Sequence, residues 1–228
     1  PDWSRGLGDV YKRQKYLFIL FLIFANNFYG QNVRATESLW DLIRSNSNLK
    51  YDSERIEIIK ASDKYNSNQY LINRLSKNGQ RYLYYTVKEG LRKNLPVELS
   101  LIPFVESQFD PYARSATGAS GIWQFIPSTA RENGLKKNWW YDGRRDIVAS
   151  TEAAYGFLSK LYDRYGDWLI AIAAYNAGPS RIKKEIEKNK KNGLPTDFWS
   201  LNLPRETKAY VPKICLLYTS PSPRDQSG

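Results

Sequence analysis

Between Tyr70 and Ile214 apolar residues recur at helical spacing in one stretch after another. Tyr82, Leu83, Tyr85, Val87 and Leu91 mark the apolar face of one or two amphipathic helices over 70–95, and Lys93-Asn94 ends that run. A second helix is predicted from Pro96, which suits a first turn where a missing N–H costs nothing. Leu99, Leu101, Ile102, Val105 and Phe109 give it a broad apolar surface, and Pro111 is expected to stop it. Pro127-Ser128-Thr129 opens a short helix to Asn133, with Gly134 as its stop. Asp146 reads as the N-cap of a long helix ending at Tyr165-Gly166, and Asp167 as the N-cap of Trp168 to Asn176. Leu169, Ile170, Ala171, Ile172, Ala173 and Ala174 leave that last helix apolar nearly all round, so it belongs in the middle of a core. Arg181 to Lys190 is strongly basic, and Pro204 to Ile214 starts a final helix. The fold class expected is mainly α: a buried apolar helix surrounded by others, with a loop or small β lobe over one side of a cleft.

The flanks read differently. Lys15 is followed by ten apolar residues, Tyr16 to Ala25. A bilayer span needs about 20, so residues 15–31 fit a signal peptide better, with cleavage between Ala25 and Gln31. Export to the periplasm or cell envelope follows. Residues 32–64 form a polar preface, either packed on the main domain or loose. Residues 1–14 and 215–228 show neither helix nor strand pattern and are expected to be non-native sequence at the edges of a fragment. The domain proper is expected over 65–214.

Composition narrows the chemistry. There is no histidine, which excludes histidine-activated nucleophiles and histidine-ligated metals. A single cysteine, Cys215, allows no intrachain disulfide and makes a thiolate metal site implausible. No metal or other cofactor is expected. The net charge of +11 suits an acidic polymer, an anionic membrane surface or nucleic acid, although a generally basic, solvated surface gives the same sum.

One carboxylate stands out. Glu106 lies in the last turns of a helix that otherwise reads as core. A helix C-terminus carries negative partial charge, and apolar surroundings disfavour ionisation. Both keep a carboxyl protonated near neutral pH, as a general acid requires. A small-residue loop, Ser115 to Gly121, follows, where glycines let backbone approach a ligand; Trp123 and Gln124 then offer a ring and an amide to a sugar. Asp110 before a proline reads as a turn former, and Asp146 as a cap. The aromatic loop Lys136 to Gly143, with Trp139, Trp140 and Tyr141, is expected to cap the core rather than line a cleft.

Glu106-Ser107, then Ser115, then Gly118-Ala119-Ser120-Gly121-Ile122-Trp123-Gln124-Phe125-Ile126-Pro127 resemble the lytic transglycosylase family with a soluble-lytic-transglycosylase domain. Arg144-Arg145-Asp146, Ala173-Ala174-Tyr175-Asn176-Ala177-Gly178 and Leu203-Pro204-Arg205-Glu206-Thr207 with Tyr210-Val211-Pro212 agree, so the likeness covers roughly 65–214. Trp123 departs from the methionine of many relatives.

The resemblance implies a lysozyme-like fold and cleavage of the bond between N-acetylmuramic acid and N-acetylglucosamine in peptidoglycan. Glu106 would protonate the glycosidic oxygen, then take the proton of the muramic 6-hydroxyl as it closes on C1. A 1,6-anhydro sugar would result. The same resemblance carries substrate contacts over to Ser107, Ser115, Gln124, Thr129, Tyr175 and Asn176. Each also has a plainer reading: a structural role for Ser107, loop capping for Ser115, backbone satisfaction for Gln124, a core phenol for Tyr175, helix ends for Asn176 and Thr129. Peptidoglycan glycan strands are the expected partner, with peripheral membrane or cell-wall association and no nucleic acid. A goose-type lysozyme-like hydrolase and a non-catalytic peptidoglycan-binding protein are the alternatives.

Overall fold

The computed structural model describes residues 39, 41–52, 54–59 and 69–217. The chain divides into two units, 1–42 and 43–228. Of the first, only Leu39, Asp41 and Leu42 are described, all helical. The predicted leader and residues 1–14 lie outside the described residues, as do 218–228 and much of the preface.

The second unit is mainly helical. From residue 69 onward its helices are α1 (Gln69–Arg92), α2 (Ile102–Ser107), α3 (Pro127–Glu132), α4 (Ile147–Tyr165), α5 (Trp168–Ala177), α6 (Pro179–Lys191) and α7 (Arg205–Leu217). Short 3-10 helices occupy Val97–Leu101 and Phe198–Ser200. Among the described residues, β pairing is confined to isolated bridges such as Arg114 with Ser120 and Ser120 with Phe125.

Helix α5 is the hub. Ala171, Ile172, Ala173 and Ala174 are wholly inaccessible, and Leu169 and Ile170 nearly so. Helices α4, α6 and α7 and the Phe198–Ser200 turn pack around it. Burying each of its leucine and isoleucine side chains contributes about 1.5–3 kcal/mol. Its start is fixed by Asp167, whose Oδ1 accepts from the Leu169 and Ile170 amides at 2.7 and 3.2 Å. Asp146 caps α4 in the same way, accepting from the Ala149 amide at 2.9 Å. Gly166 closes α4 at φ 67°, a left-handed stop of the kind expected there. Helix α1 meets α4 where the Tyr155 hydroxyl donates to the Thr86 carbonyl at 2.6 Å.

Three expectations need correction. The helix from Pro96 is two pieces, a 3-10 turn and then α2, because Pro103 in the first turn of α2 has no N–H to continue a single ladder. It also ends at Ser107, short of Pro111. Gln108 and Phe109 take left-handed conformations at φ 56° and 59°, and the Gln108 amide donates to the Phe104 carbonyl at 2.9 Å. At the other end, α7 continues to Leu217, and Cys215 is fully buried in a stretch that lacked a helical pattern.

Part of the preface packs. Ile43, Leu49 and Ile58 are buried. Glu98, itself inaccessible, receives hydrogen bonds from the Ser47 hydroxyl and from the Asn48 and Leu49 amides at 2.6–3.0 Å. Arg55 lies 4.6 Å over the Trp199 ring.

Candidate active site

The loop from Ala113 to Phe125 is built around a buried cation. Arg144 donates to both Asp142 carboxylate oxygens at 2.9 and 2.6 Å and to the Gly118 and Phe125 carbonyls at 2.7 and 3.2 Å. Its backbone comes so near Gly121 that a Cβ there would lie 1.7 Å from the Arg144 oxygen. Gly121 also holds φ 80°, so both close approach and conformation require glycine. Ser107 ties α2 to the loop: its hydroxyl lies 3.0 Å from both the Pro103 and Ile122 carbonyls.

Trp123 does not face a ligand. It is fully buried, donates from Nε1 to the Thr151 hydroxyl at 3.0 Å and meets Tyr155 edge-on. The expectation that it stacks on a sugar is therefore corrected. The Tyr175 hydroxyl donates to the Trp123 carbonyl at 2.7 Å, which fastens the loop to the end of α5.

Between loop and helices lies a cavity of about 260 Å³. Glu106 reaches it from the last turn of α2, Gln124 to Ile126 from the loop and Thr129 from α3. Phe157 lines it from α4, and Tyr175 and Asn176 from the tip of α5. Gln124, Thr129, Tyr175 and Asn176 are thus brought together with Glu106. Ser115 does not line the cavity. Its hydroxyl sits 2.9 Å from that of Thr117 and accepts from the Ala119 amide at 3.0 Å, a loop-capping arrangement. Ser107 serves the loop as described. Gln124, at φ 48°, turns its amide nitrogen back to the Ala113 and Gly121 carbonyls at 3.2 and 2.7 Å. The Asn176 side-chain oxygen accepts from the Thr207 hydroxyl at 2.8 Å.

The tyrosine that touches the acid is Tyr210, from α7. Its hydroxyl donates to Glu106 Oε1 at 2.5 Å. Sequence reasoning noted the block around Tyr210 without assigning it a task. Only its place in a matching block could have drawn attention to it, because the two residues lie 104 positions apart.

Burial dominates the electrostatics of Glu106 and pushes its carboxyl from the usual 4.5 up to about 7. The Tyr210 hydrogen bond opposes that rise, Glu206 adds to it and Lys213 opposes it. Burial also raises Tyr175 and Tyr210 well above 10, so both phenols stay protonated. A carboxyl near 7 can give or take a proton at neutral pH. Glu106 is the one carboxylate among the residues lining this cavity. Among the described residues, no group of three or more cysteine, aspartate and glutamate side chains is placed to hold a metal ion.

Comparison with known proteins places the chain's sequence in a family. Residues 84–196 match the transglycosylase SLT domain. Over 189 residues the chain is 43% identical to membrane-bound lytic murein transglycosylase D of Escherichia coli (strain K12), covering 82% of this chain and 42% of that protein. It is 30% identical over 108 residues to membrane-bound lytic murein transglycosylase F of Desulfosudis oleivorans, covering 44% of this chain and 22% of that one. The crystal structure of an inactive mutant of lytic transglycosylase Slt from Pseudomonas aeruginosa matches 58% of this chain and 22% of its own, with 28% identity and a TM-score of 0.46. The chain spans less than half the length of these curated relatives. Residues 84–196 thus place the chain in the transglycosylase SLT domain family.

Proposed function

We propose that this chain is a peptidoglycan lytic transglycosylase of the cell envelope. It would cleave the bond between N-acetylmuramic acid and N-acetylglucosamine without water and leave 1,6-anhydromuramic ends. The observation that carries the reading is a lone, half-buried carboxyl, raised to about 7, in a cavity that Gln124, Thr129, Tyr175 and Asn176 line with it.

The chemistry follows from that carboxyl. Protonated Glu106 gives its proton to the glycosidic oxygen as the bond to C1 breaks. The muramic acetamido oxygen stabilises the cationic C1. The Glu106 carboxylate then takes the proton from the 6-hydroxyl, whose oxygen bonds to C1. One group acts as acid and then as base, and the proton count balances. Tyr210 holds one carboxylate oxygen by donation, which stabilises the charged intermediate state and orients the other oxygen. Gln124, Thr129, Tyr175 and Asn176 are proposed to bind the sugar. Ser107 and Ser115 would act at one remove by holding the loop. In this reading residues 65–214 are the catalytic domain and 15–31 its export signal.

A hydrolase would need a second carboxylate to activate water, and none lines the cavity beside Glu106. The test is release of soluble fragments from purified peptidoglycan. Wild-type protein should release them, and Glu106→Gln should reduce the rate by about 10²–10⁴. Equal release by the two proteins would reject the proposal.

A further inference from the structure

The aromatic loop expected to cap the core does the opposite. Trp139 and Trp140 are 88% and 90% exposed, and Tyr112, which lines the same groove, is 74% exposed. Large aromatic side chains gathered on one exposed patch mark a binding surface more often than chance decoration. These three border a groove of about 600 Å³ that shares no lining residue with the Glu106 cavity.

The loop is built, not slack. The Asn138 carboxamide oxygen accepts from the Trp140 and Tyr141 amides at 2.9 and 2.7 Å. The Asn138 amide donates to the Tyr141 carbonyl at 2.8 Å, and the Gly143 amide to that of Lys136 at 2.8 Å. The tryptophan rings lie 6.5 Å apart and nearly perpendicular, so they offer faces in two directions. Such preorganisation lowers the ordering cost of binding.

Charge points to the ligand. The acids of the groove have internal partners: Asp142 is paired with Arg144 at 2.6 Å, and Asp146 caps α4. Arg114 and Lys137 also line the groove and form no salt bridge among the described residues. Ring faces beside cationic side chains suit pyranose rings that carry carboxylates. A bilayer would be met by a convex apolar tip rather than a groove whose lining alternates aromatic and polar groups.

We propose that Trp139, Trp140 and Tyr112, with Arg114 and Lys137, form a second binding surface, outside the catalytic cavity, for a carboxylate-bearing glycan: the peptide-substituted strand itself. The proposal rests on reading the Glu106 cavity as a peptidoglycan site. Its role is to hold the insoluble polymer while Glu106 works on it.

The test compares Glu106→Gln, which leaves the polymer intact, with the same chain also carrying Trp139→Ala and Trp140→Ala. Each is pelleted with purified insoluble peptidoglycan and, separately, with vesicles of phosphatidylglycerol and phosphatidylcholine. The added substitutions should weaken pelleting with peptidoglycan by about tenfold or more. They should leave vesicle binding and the melting temperature unchanged. In the chain with Glu106 intact, they should leave turnover of a short soluble glycan at its wild-type rate. Undiminished pelleting with peptidoglycan would overturn the proposal, as would a loss confined to vesicles. A wild-type chain that turns over no glycan would reject the catalytic reading instead, and the pelleting comparison would still report on the groove.

Discussion

In the proposed mechanism Glu106 is the residue on which the chemistry turns, and its environment makes two further predictions. Burial raises its carboxyl from 4.5 in the unfolded chain to about 7 in the folded one. Between those values the native state binds more protons than the unfolded state, so stability falls as pH rises through this window. Glu106→Gln should therefore melt higher than wild type at pH 8, by on the order of 2–3 kcal/mol, and the gap should close near pH 4.5. Activity, which starts from the protonated form, should fall as pH rises through about 7. Tyr210 lowers the Glu106 carboxyl by donating to its charged form. Tyr210→Phe should move the alkaline limb of the pH dependence of kcat/KM upward and lower the plateau; a lowered plateau with an unmoved limb would mean Tyr210 only supports the fold. Glu106 was legible in the sequence because apolar residues such as Ile102, Val105 and Phe109 flank it in the chain and leave it the odd carboxylate of that helix. Tyr210 was not, because the contact joins α2 to α7 and no local pattern encodes it. Trp123 misled for the same reason: its partners Thr151 and Tyr155 lie on α4.

At the scale of elements, caps and stops were the most readable features. Asp146, Gly166, Asp167 and Gly134 each act within one turn of their own position, so sequence suffices to place them. Asp167→Ala should cost about 1 kcal/mol, read as a lower melting temperature, because two amides at the start of the buried α5 lose their acceptor. The end of α2 was less readable, since a left-handed Gln108-Phe109 pair carries no glycine to announce it. The loop around Arg144 was least readable of all. Gly121→Ala there should cost at least about 1–3 kcal/mol from the positive φ alone, with the 1.7 Å collision on top. Thermal unfolding would show the loss, and cleavage of peptidoglycan should fall with it, because Gln124 hangs on the same loop. A variant as stable and active as wild type would mean the loop can be rebuilt around a methyl group.

For the molecule as a whole, the architecture divides labour. An apolar helix with no polar face anchors the core and presents Tyr175 and Asn176 at its tip. A loop clamped by one buried arginine forms the opposite wall, and α7 closes behind the acid through Tyr210. The mainly helical class was legible from periodicity. The separation of a deep cavity from an aromatic groove was not, because exposure of Trp139 and Trp140 depends on where α4 and the loop come to rest. The central claim is that a lone carboxyl serves twice and water takes no part. Digestion of purified peptidoglycan in heavy-oxygen water, followed by mass spectrometry of the fragments, tests it most directly. The account predicts muramic ends one water lighter than reducing ends and free of heavy oxygen. Reducing ends carrying heavy oxygen at C1 would contradict it.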